Sequence, residues 1–478
     1  MNDELHRLDA TAQALLVERG EVTPLELVDS AIARIERLDP ALDAVVSRQF
    51  EQARERARGA LPEGPFRGVP FLLKDLAGGA EAGMPLSYGS RLGAEHRADY
   101  DSELVRRYRA AGLAIVGRSS TPEFGLTPTT EPALFGPCRN PWNPELSSGG
   151  SSGGAAAAVA ARLVPFAHAS DIGGSIRIPA SACGVFGLKP SRGRNPAGPK
   201  LGEGVAGLSA EHCCSISVRD SAALLDATSA ADFGAPYVAP FKHRPYLEEI
   251  DAPHQRLRIA VMRAPLSGVP VHADCLAAVE AAATLCRALG HEVRDEAPQV
   301  SDIAAVNQAY AKLFMVSAAL NLQTLEGLVG RSAGADDIEP LTRLVAALGR
   351  QVSATDFVLA QRALHRMGRE INAFQAHYDL ILSPTMACPP AAIGELVLRA
   401  GDPPEPYIQR TQAFAAFTSV FNATGQPAMS VPLHWNAEGV PIGVQFAARL
   451  GDEASLFRLA AELERAHPWA ERLPPLGH

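Results

Sequence analysis

The chain has 478 residues, 47% of them hydrophobic, and a formal charge of −9. There is ample apolar material for a large core, and the acidic balance without a long basic block argues against nucleic acid or an anionic membrane as partner. The opening stretch MNDELHRLDATAQALL has acids where a signal peptide has bases, and no uninterrupted run reaches the ~18 apolar residues of a membrane span, so a soluble, cytoplasmic protein is expected. The seven cysteines form no Cys-x-x-Cys and no metal-ligand spacing, which predicts buried free thiols in a reducing compartment and no bound metal.

Residues 5–47 read as two helices. Thr23-Pro24-Leu25-Glu26 is a capping box with proline at the first helical position, and Leu25, Leu27, Val28, Ile32 and Ile35 follow at helical spacing. Such helices pack on the core or, in a homodimer, on a second subunit. Gly68-Val69-Pro70-Phe71-Leu72-Leu73 is a short apolar strand that ends in Lys74. A lysine there snorkels out or is satisfied inside. If buried, its ammonium is disfavoured and its pKa falls, which suits a general base. Asp75 alternates to the other face and is expected to be structural.

Asp101 is the expected cap of a helix over about 102–111, closed by Gly112, and Leu113 to Val116 is the next strand. It leads into a turn through Arg118, Ser119 and Ser120. Asn140-Pro141-Trp142-Asn143-Pro144 reads as a rigid loop.

The most informative stretch is NPELSSGGSSGGAAAAVAARLVPFAHASDIGGSIRIPASACGVFGLKP, residues 143–190. It holds two Gly-Gly-Ser steps, ending at Ser151 and, 24 residues later, at Ser175. Between them Ala155 to Ala161 predicts a buried helix. Glycine lets backbone N–H groups approach a ligand closely, and successive N–H groups in such a turn form an anion-binding nest. A serine at the edge of a nest suits acyl transfer, with its oxygen attacking a carbonyl and N–H groups holding the oxyanion. The candidate donors are the N–H groups of Ile172, Gly173, Gly174 and Ser175. Asp171 and Arg177 flank the loop and are expected to lock it by charge-assisted hydrogen bonds. His168 invites a Ser-His-Asp reading, but Gly173-Gly174-Ser175-Ile176-Arg177 is not a Gly-x-Ser-x-Gly elbow.

GGSSGG at 149–154 and DIGGSIRIPAS at 171–181 resemble the amidase signature family of serine hydrolases. The resemblance implies a Ser–cis-Ser–Lys triad: Ser175 as nucleophile, Ser151 as bridging serine in a cis peptide after Gly150, and Lys74 as base. It replaces the length prior of about three domains with one large α/β domain, a central twisted mixed β-sheet covered by helices on both faces. Within it lie N-terminal helices at 1–60, a catalytic core at about 65–200 and a variable, mostly helical pocket wall at about 290–375. The family often has Lys-Thr-Asn where this chain has Arg118-Ser119-Ser120, so a substrate contact from either serine is not carried over.

Further along, 215–232 reads as helical, and a Pro-rich crossing from Gly234 to Pro253 divides the core from the later half. Strand, helix and strand then follow at 257–261, 272–289 and 291–293, and 302–377 is mostly helical. Segments 378–385, 421–432 and 443–446 read as strands and 452–465 as the closing helix, with Thr385 and Gln426 as possible substrate contacts. No phosphate-binding or dinucleotide fingerprint occurs, and no cofactor is expected.

The function read from these features is hydrolysis of a carboxamide C–N bond through an acyl-enzyme on Ser175, on a small linear, cyclic or peptide-like amide. RNPWN at 139–143 and SIRIPAS at 175–181 are similar to stretches of bacterial stand-alone amidases. Two alternatives share the triad: an ester or carbamate hydrolase, and the amidase subunit of a tRNA-dependent amidotransferase. Against the latter, Ile172 stands where that subunit more often has threonine, and Thr424-Gly425-Gln426-Pro427 looks like the stand-alone enzymes. A catalytically dead binding protein is disfavoured because every triad position is filled.

Overall fold

Thirteen strands occur among the described residues, which in this computed structural model are 4–253 and 255–477. The first three residues of the opening stretch read above as non-targeting lie outside them. In chain order the strands are β1 (Val45–Arg48), β2 (Pro70–Lys74), β3 (Ala114–Ser119), β4 (Arg139–Asn140), β5 (Asn143–Ser147), β6 (Phe166–Asp171), β7 (Phe186–Lys189), β8 (Ala210–Ser215), β9 (Arg258–Val261), β10 (Glu292–Arg294), β11 (Leu380–Pro384), β12 (Ala428–Val431) and β13 (Val444–Ala448). Eleven form one mixed sheet in the order β1-β3-β2-β6-β8-β7-β12-β13-β11-β9-β10. Three of its central strands are β2, β6 and β8; β2 ends in Lys74, and β6 leads into the loop of Ser175.

Alternation along β2 explains how the sheet is covered on both sides. Phe71 and Leu73 join Phe66, Tyr108, Phe166 and Leu224 in one core. Leu72 points the other way, against Ala155 to Ala161 and the N-terminal helix residues Val28, Ile32 and Ile35. Lys74 follows Leu72 by two residues and shares its face. The first helices therefore pack on the chain's own core. The capping box at Thr23 is formed reciprocally with Glu26, an arrangement worth about 1 kcal/mol.

The helix after β6 is short because of its sequence: Arg177–Cys183 ends at Gly184, which adopts the left-handed conformation of a helix C-cap. The buried helix expected over Ala155 to Ala161 runs Gly153–Ala160, with every residue buried.

Several boundaries differ from the sequence reading. Ser102, not Asp101, caps the helix Glu103–Ala110, its hydroxyl accepting from the Val105 N–H; Asp101 instead accepts from the Ala82 N–H and pairs with Arg109. β3 continues to Ser119, because Arg118 is fully buried and donates to the Gly79 carbonyl at 2.8 Å. Ser119 and Ser120 are fully buried. Residues 139–147 form the two-stranded ribbon β4-β5 instead of a plain loop. Phe421 to Ala423 belong to a helical turn, Ser419–Ala423, and only Ala428–Val431 is strand. The Pro-rich crossing does not divide the molecule, since β7 pairs with β12 and carries one sheet across both halves.

Residues 302–377 supply three helices, Ile303–Val329, Pro340–Gly349 and Ala354–Gln375. The first is the one helix among the described residues long and apolar enough, by length and composition, to cross a membrane. Asn307, Gln308 and Lys312 interrupt its apolar run.

Candidate active site

Lys74 ends β2 with no exposed surface. Its Nζ sits 2.7 Å from Ser151 Oγ, 2.8 Å from Ser152 Oγ and 2.9 Å from Ser170 Oγ. The first two serines form the turn that opens the buried helix Gly153–Ala160. The third comes from β6, the neighbour of β2 in the sheet. The Gly150–Ser151 peptide is cis. A Cβ at position 150 would lie 2.6 Å from the Thr129 carbonyl oxygen and 2.7 Å from that of Thr127, so only glycine fits.

Burial pushes the Lys74 amine down to about 7, against the pull of the Glu211 and Asp171 carboxylates. The amino end of the helix Gly153–Ala160, which opens beside it, also disfavours a cation. A neutral amine has one lone pair to accept with, and the hydroxyl directions show who can use it. Ser152 Oγ donates to the Ser170 carbonyl at 3.2 Å, so it accepts from Lys74. Ser151 Oγ has no such competing acceptor among the described residues, and its proton is free to point at Nζ.

Ser175 lies half-buried in the loop between β6 and the helix Arg177–Cys183. Its carbonyl accepts from the Ser152 N–H at 3.1 Å, which ties the two Gly-Gly-Ser turns together. Its Oγ makes no hydrogen bond among the described residues. The contact with Ser151 that the resemblance implies is therefore not closed here, although Ser151 is on Lys74.

Asp171 organises the loop. Its carboxylate accepts from the N–H groups of Gly174 (2.8 Å), Ile176 (3.1 Å) and Arg177 (3.4 Å), and from Arg177 Nε and Nη2 at 2.9 and 2.8 Å. Burial alone would raise the Asp171 carboxyl, but the Arg177 guanidinium and the hydrogen bonds hold it below the usual carboxylate range. This corrects one expectation. The Gly174 N–H is committed to Asp171 and is not available to an oxyanion. The N–H groups of Ile172, Gly173 and Ser175 make no hydrogen bond among the described residues and remain as candidate donors.

Four residues that the sequence reading missed fix this loop from the far half of the chain. Arg177 also donates to Asn422 Oδ1 at 2.6 Å and Gln445 Oε1 at 2.7 Å, and Asn422 Nδ2 returns to the Asp171 carbonyl at 3.0 Å. Thr418 Oγ1 donates to the Gly173 carbonyl at 2.6 Å and Tyr310 Oη to that of Ile172 at 2.7 Å. With these carbonyls held, the peptide planes of the nest are fixed. A Cβ on Gly173 would lie 2.5 Å from Tyr310 Oη, and on Gly174 (φ 135°) 2.4 Å from Thr418 Oγ1. Arg177→Leu would leave Asp171 buried and unpaired. We expect it to cost about 3–5 kcal/mol in urea unfolding and to abolish activity. A loss below about 1 kcal/mol would show that the pair does not hold the loop.

His168 is not a base for Ser175. Its Nδ1 accepts the Lys74 backbone N–H at 3.2 Å and its Nε2 pairs with Glu211 at 2.8 Å. Thr385 and Gln426 are fully buried and bonded to Ser430 Oγ and the Ala448 carbonyl.

A cavity of about 160 Å³ opens beside Ser170 and Ile172, walled by Leu76, Tyr88, Phe124 and Asn321. Tyr88 (φ 59°) and Phe124 (φ 50°) both hold left-handed backbone, linked by a Phe124 N–H to Tyr88 carbonyl bond of 2.8 Å. Non-glycine residues pay roughly 1–3 kcal/mol for such angles, which persist where surrounding structure needs them, most often at ligand sites.

Residues 26–457 match the family described as Amidase. The chain belongs to the amidase signature family. It is 40% identical over 477 residues to a 6-aminohexanoate-cyclic-dimer hydrolase of Paenarthrobacter ureafaciens, covering 98% of this chain and 96% of that protein. The structure of a 6-aminohexanoate cyclic dimer hydrolase complexed with substrate superposes with a TM-score of 0.95 at 39% identity, covering 99% of this chain and 100% of that one. A bacterial aryl acylamidase superposes with a TM-score of 0.88 at 27% identity, with 98% of both chains covered. This amidase is thus a hydrolase of carbon–nitrogen bonds, and the single mixed-sheet domain agrees with these structures.

Proposed function

We propose that this amidase forms an acyl-enzyme on Ser175, with Ser151 as proton relay and Lys74 as base. The observation that carries the proposal is the buried Lys74 amine on Ser151 Oγ, in a turn bonded to the Ser175 backbone. Neutral Lys74 accepts the Ser151 proton as Ser151 accepts that of Ser175. The Ser175 hydroxyl has no other partner to leave when it turns towards Ser151. Apo-state hydrogen bonds of this kind commonly tighten when substrate binds. Ser175 Oγ then attacks the amide carbonyl, and the N–H groups of Ile172, Gly173 and Ser175 hold the oxyanion. The relay reverses to protonate the leaving amine, and water, deprotonated by the same relay, hydrolyses the ester.

The substrate is an amide with an apolar body. Leu76, Tyr88, Phe124 and Ile172 offer apolar surface, while the Asn321 side chain, without a hydrogen bond among the described residues, offers one donor and one acceptor. The likeness to the cyclic-dimer hydrolases supports a cyclic amide. Seven cysteines, none of them paired, support a cytoplasmic location.

Amine release from a panel of aliphatic amides, anilides, peptide amides and the 6-aminohexanoate cyclic dimer tests the proposal, with esters and carbamates alongside. Neutral amides are expected to turn over faster than charged ones of equal size. Ester turnover without hydrolysis of any amide would refute it.

A further inference from the structure

The parallel ladder between β2 and β6 stops early. Leu72 pairs with Ala167, and no later residue of β2 pairs with β6. The Lys74 N–H would otherwise be a buried donor without a partner. It is satisfied by a side chain: His168 Nδ1 accepts it at 3.2 Å. The ring is fully buried, tilted by 59° against Tyr108 with centroids 5.7 Å apart, and capped by the turn at Gly79, where a Cβ would come within 3.3 Å of Nδ1. Because Nδ1 accepts, the ring proton is on Nε2, which donates to Glu211 at 2.8 Å. Glu211 stands on β8, opposite Ser170 in register, and Ser170 is itself a partner of Lys74. Its side chain is 18% exposed and lines the same cavity as Ser170 and Ile172. The backbone of Gly78 packs on it so closely that a Cβ there would meet Oε2 at 2.6 Å. An unbroken chain thus runs from the cavity through Glu211 and His168 to the lysine backbone.

We infer that His168 and Glu211 are positioning residues for Lys74: the imidazole fixes the end of β2, and the Glu211 carboxylate sets the charge balance of the amine. The inference rests on the acyl-transfer reading above. The groups that face Lys74 are few. Asp171 on β6 is already neutralised by Arg177, Cys214 on β8 is a thiol pushed up to about 12 by burial, and Arg118 on β3 bonds the Lys74 carbonyl side of the strand at 3.4 Å. Glu211 is the carboxylate among them that carries no cationic side chain, since its partner ring donates as a neutral imidazole. It stabilises the ammonium, whereas burial destabilises it. Removing its charge must therefore let Lys74 lose its proton at lower pH.

The test needs no known substrate. A fluorophosphonate probe reacts with an activated serine, and its rate of labelling Ser175 is followed from pH 5 to 10. In the wild-type protein the rate is expected to rise with pH through a midpoint set by Lys74. Glu211→Gln keeps an acceptor for His168 but loses the charge, and the midpoint should fall by at least about half a unit. Glu211→Asp keeps the charge and should hold the wild-type midpoint even where the shorter side chain slows the plateau rate. A purely structural role would lower the plateau equally in both variants and move neither midpoint. An unchanged or raised midpoint in Glu211→Gln, with labelling intact, overturns the inference alone. Failure of the wild-type protein to label at Ser175 overturns the acyl-transfer reading and the inference with it.

Discussion

Ser175→Ala is expected to lower kcat by about 10⁴-fold or more while leaving the fold unchanged. The two halves of that expectation come from one observation. The Ser175 hydroxyl bonds nothing among the described residues, so its loss leaves no buried group unsatisfied, and only chemistry is removed. The urea midpoint should match that of the wild-type protein, and labelling by a fluorophosphonate should disappear. Ser151→Ala is the informative companion, since it removes the first hydroxyl on Lys74 and leaves the candidate nucleophile in place. Residual slow labelling at position 175 is expected there. A probe that labels Ser151 in the wild-type protein, with Ser175→Ala retaining substantial turnover, would reverse the assignment.

Lys74→Met should remove most activity, by about 10³-fold or more, together with the pH dependence of what remains. In the wild-type enzyme the base is active when neutral, so the rate rises with pH through about 7 and levels above it. The variant has no such limb. Stability moves in the same pH range for a different reason. Unfolded, the lysine holds its proton to about 10.4, whereas the folded protein releases it near 7. Between these values the unfolded chain binds more protons, so wild-type stability increases with pH. Lys74→Met should reduce that slope, measured as urea unfolding free energy at pH 7 and pH 9.5, while the buried Lys189, also pushed down to about 7, keeps its share. A variant that kept the activity limb near pH 7 would show that Lys74 is not the base.

What could be read from the sequence depended on how far apart the cooperating residues lie. Lys74, Ser151 and Ser175 each end or follow a short patterned segment, and Asp171 and Arg177 are six residues apart across a glycine turn. Local pattern marks such groups one by one, and the family resemblance is what joins Lys74, Ser151 and Ser175 into one expected site. Ser152 stood in plain view within Gly-Gly-Ser-Ser, but nothing in the pattern distinguishes the two hydroxyls; their directions depend on the peptide before them. Tyr310, Thr418, Asn422 and Gln445 carry no motif and reach the loop only through the sheet order and the helices stacked on it. The Gly174 N–H was misread because one carboxylate can take several N–H groups, and the sequence does not say which. Arg118 shows the limit for strand ends: a charged residue ends a hydrophobic run on paper, yet buried and bonded to the Gly79 carbonyl it prolongs β3.

The join between β7 and β12 has a consequence for the way this enzyme comes into being. Residues 186–189 lie beside 428–431, and the guanidinium of Arg177 is bonded to Asn422 and Gln445. On a ribosome, the three side chains of the proposed triad emerge in the first half of synthesis, but Thr418, Asn422 and Gln445, which brace the loop, emerge near the end. Contacts this distant in sequence form late and slowly. The nascent chain therefore carries a reactive constellation that stays unassembled, and hydrolytic competence arrives only with the last tenth of the polypeptide. A carboxy-terminal truncation before Gln445 would yield a protein that holds Lys74, Ser151 and Ser175 but lacks a brace on Arg177.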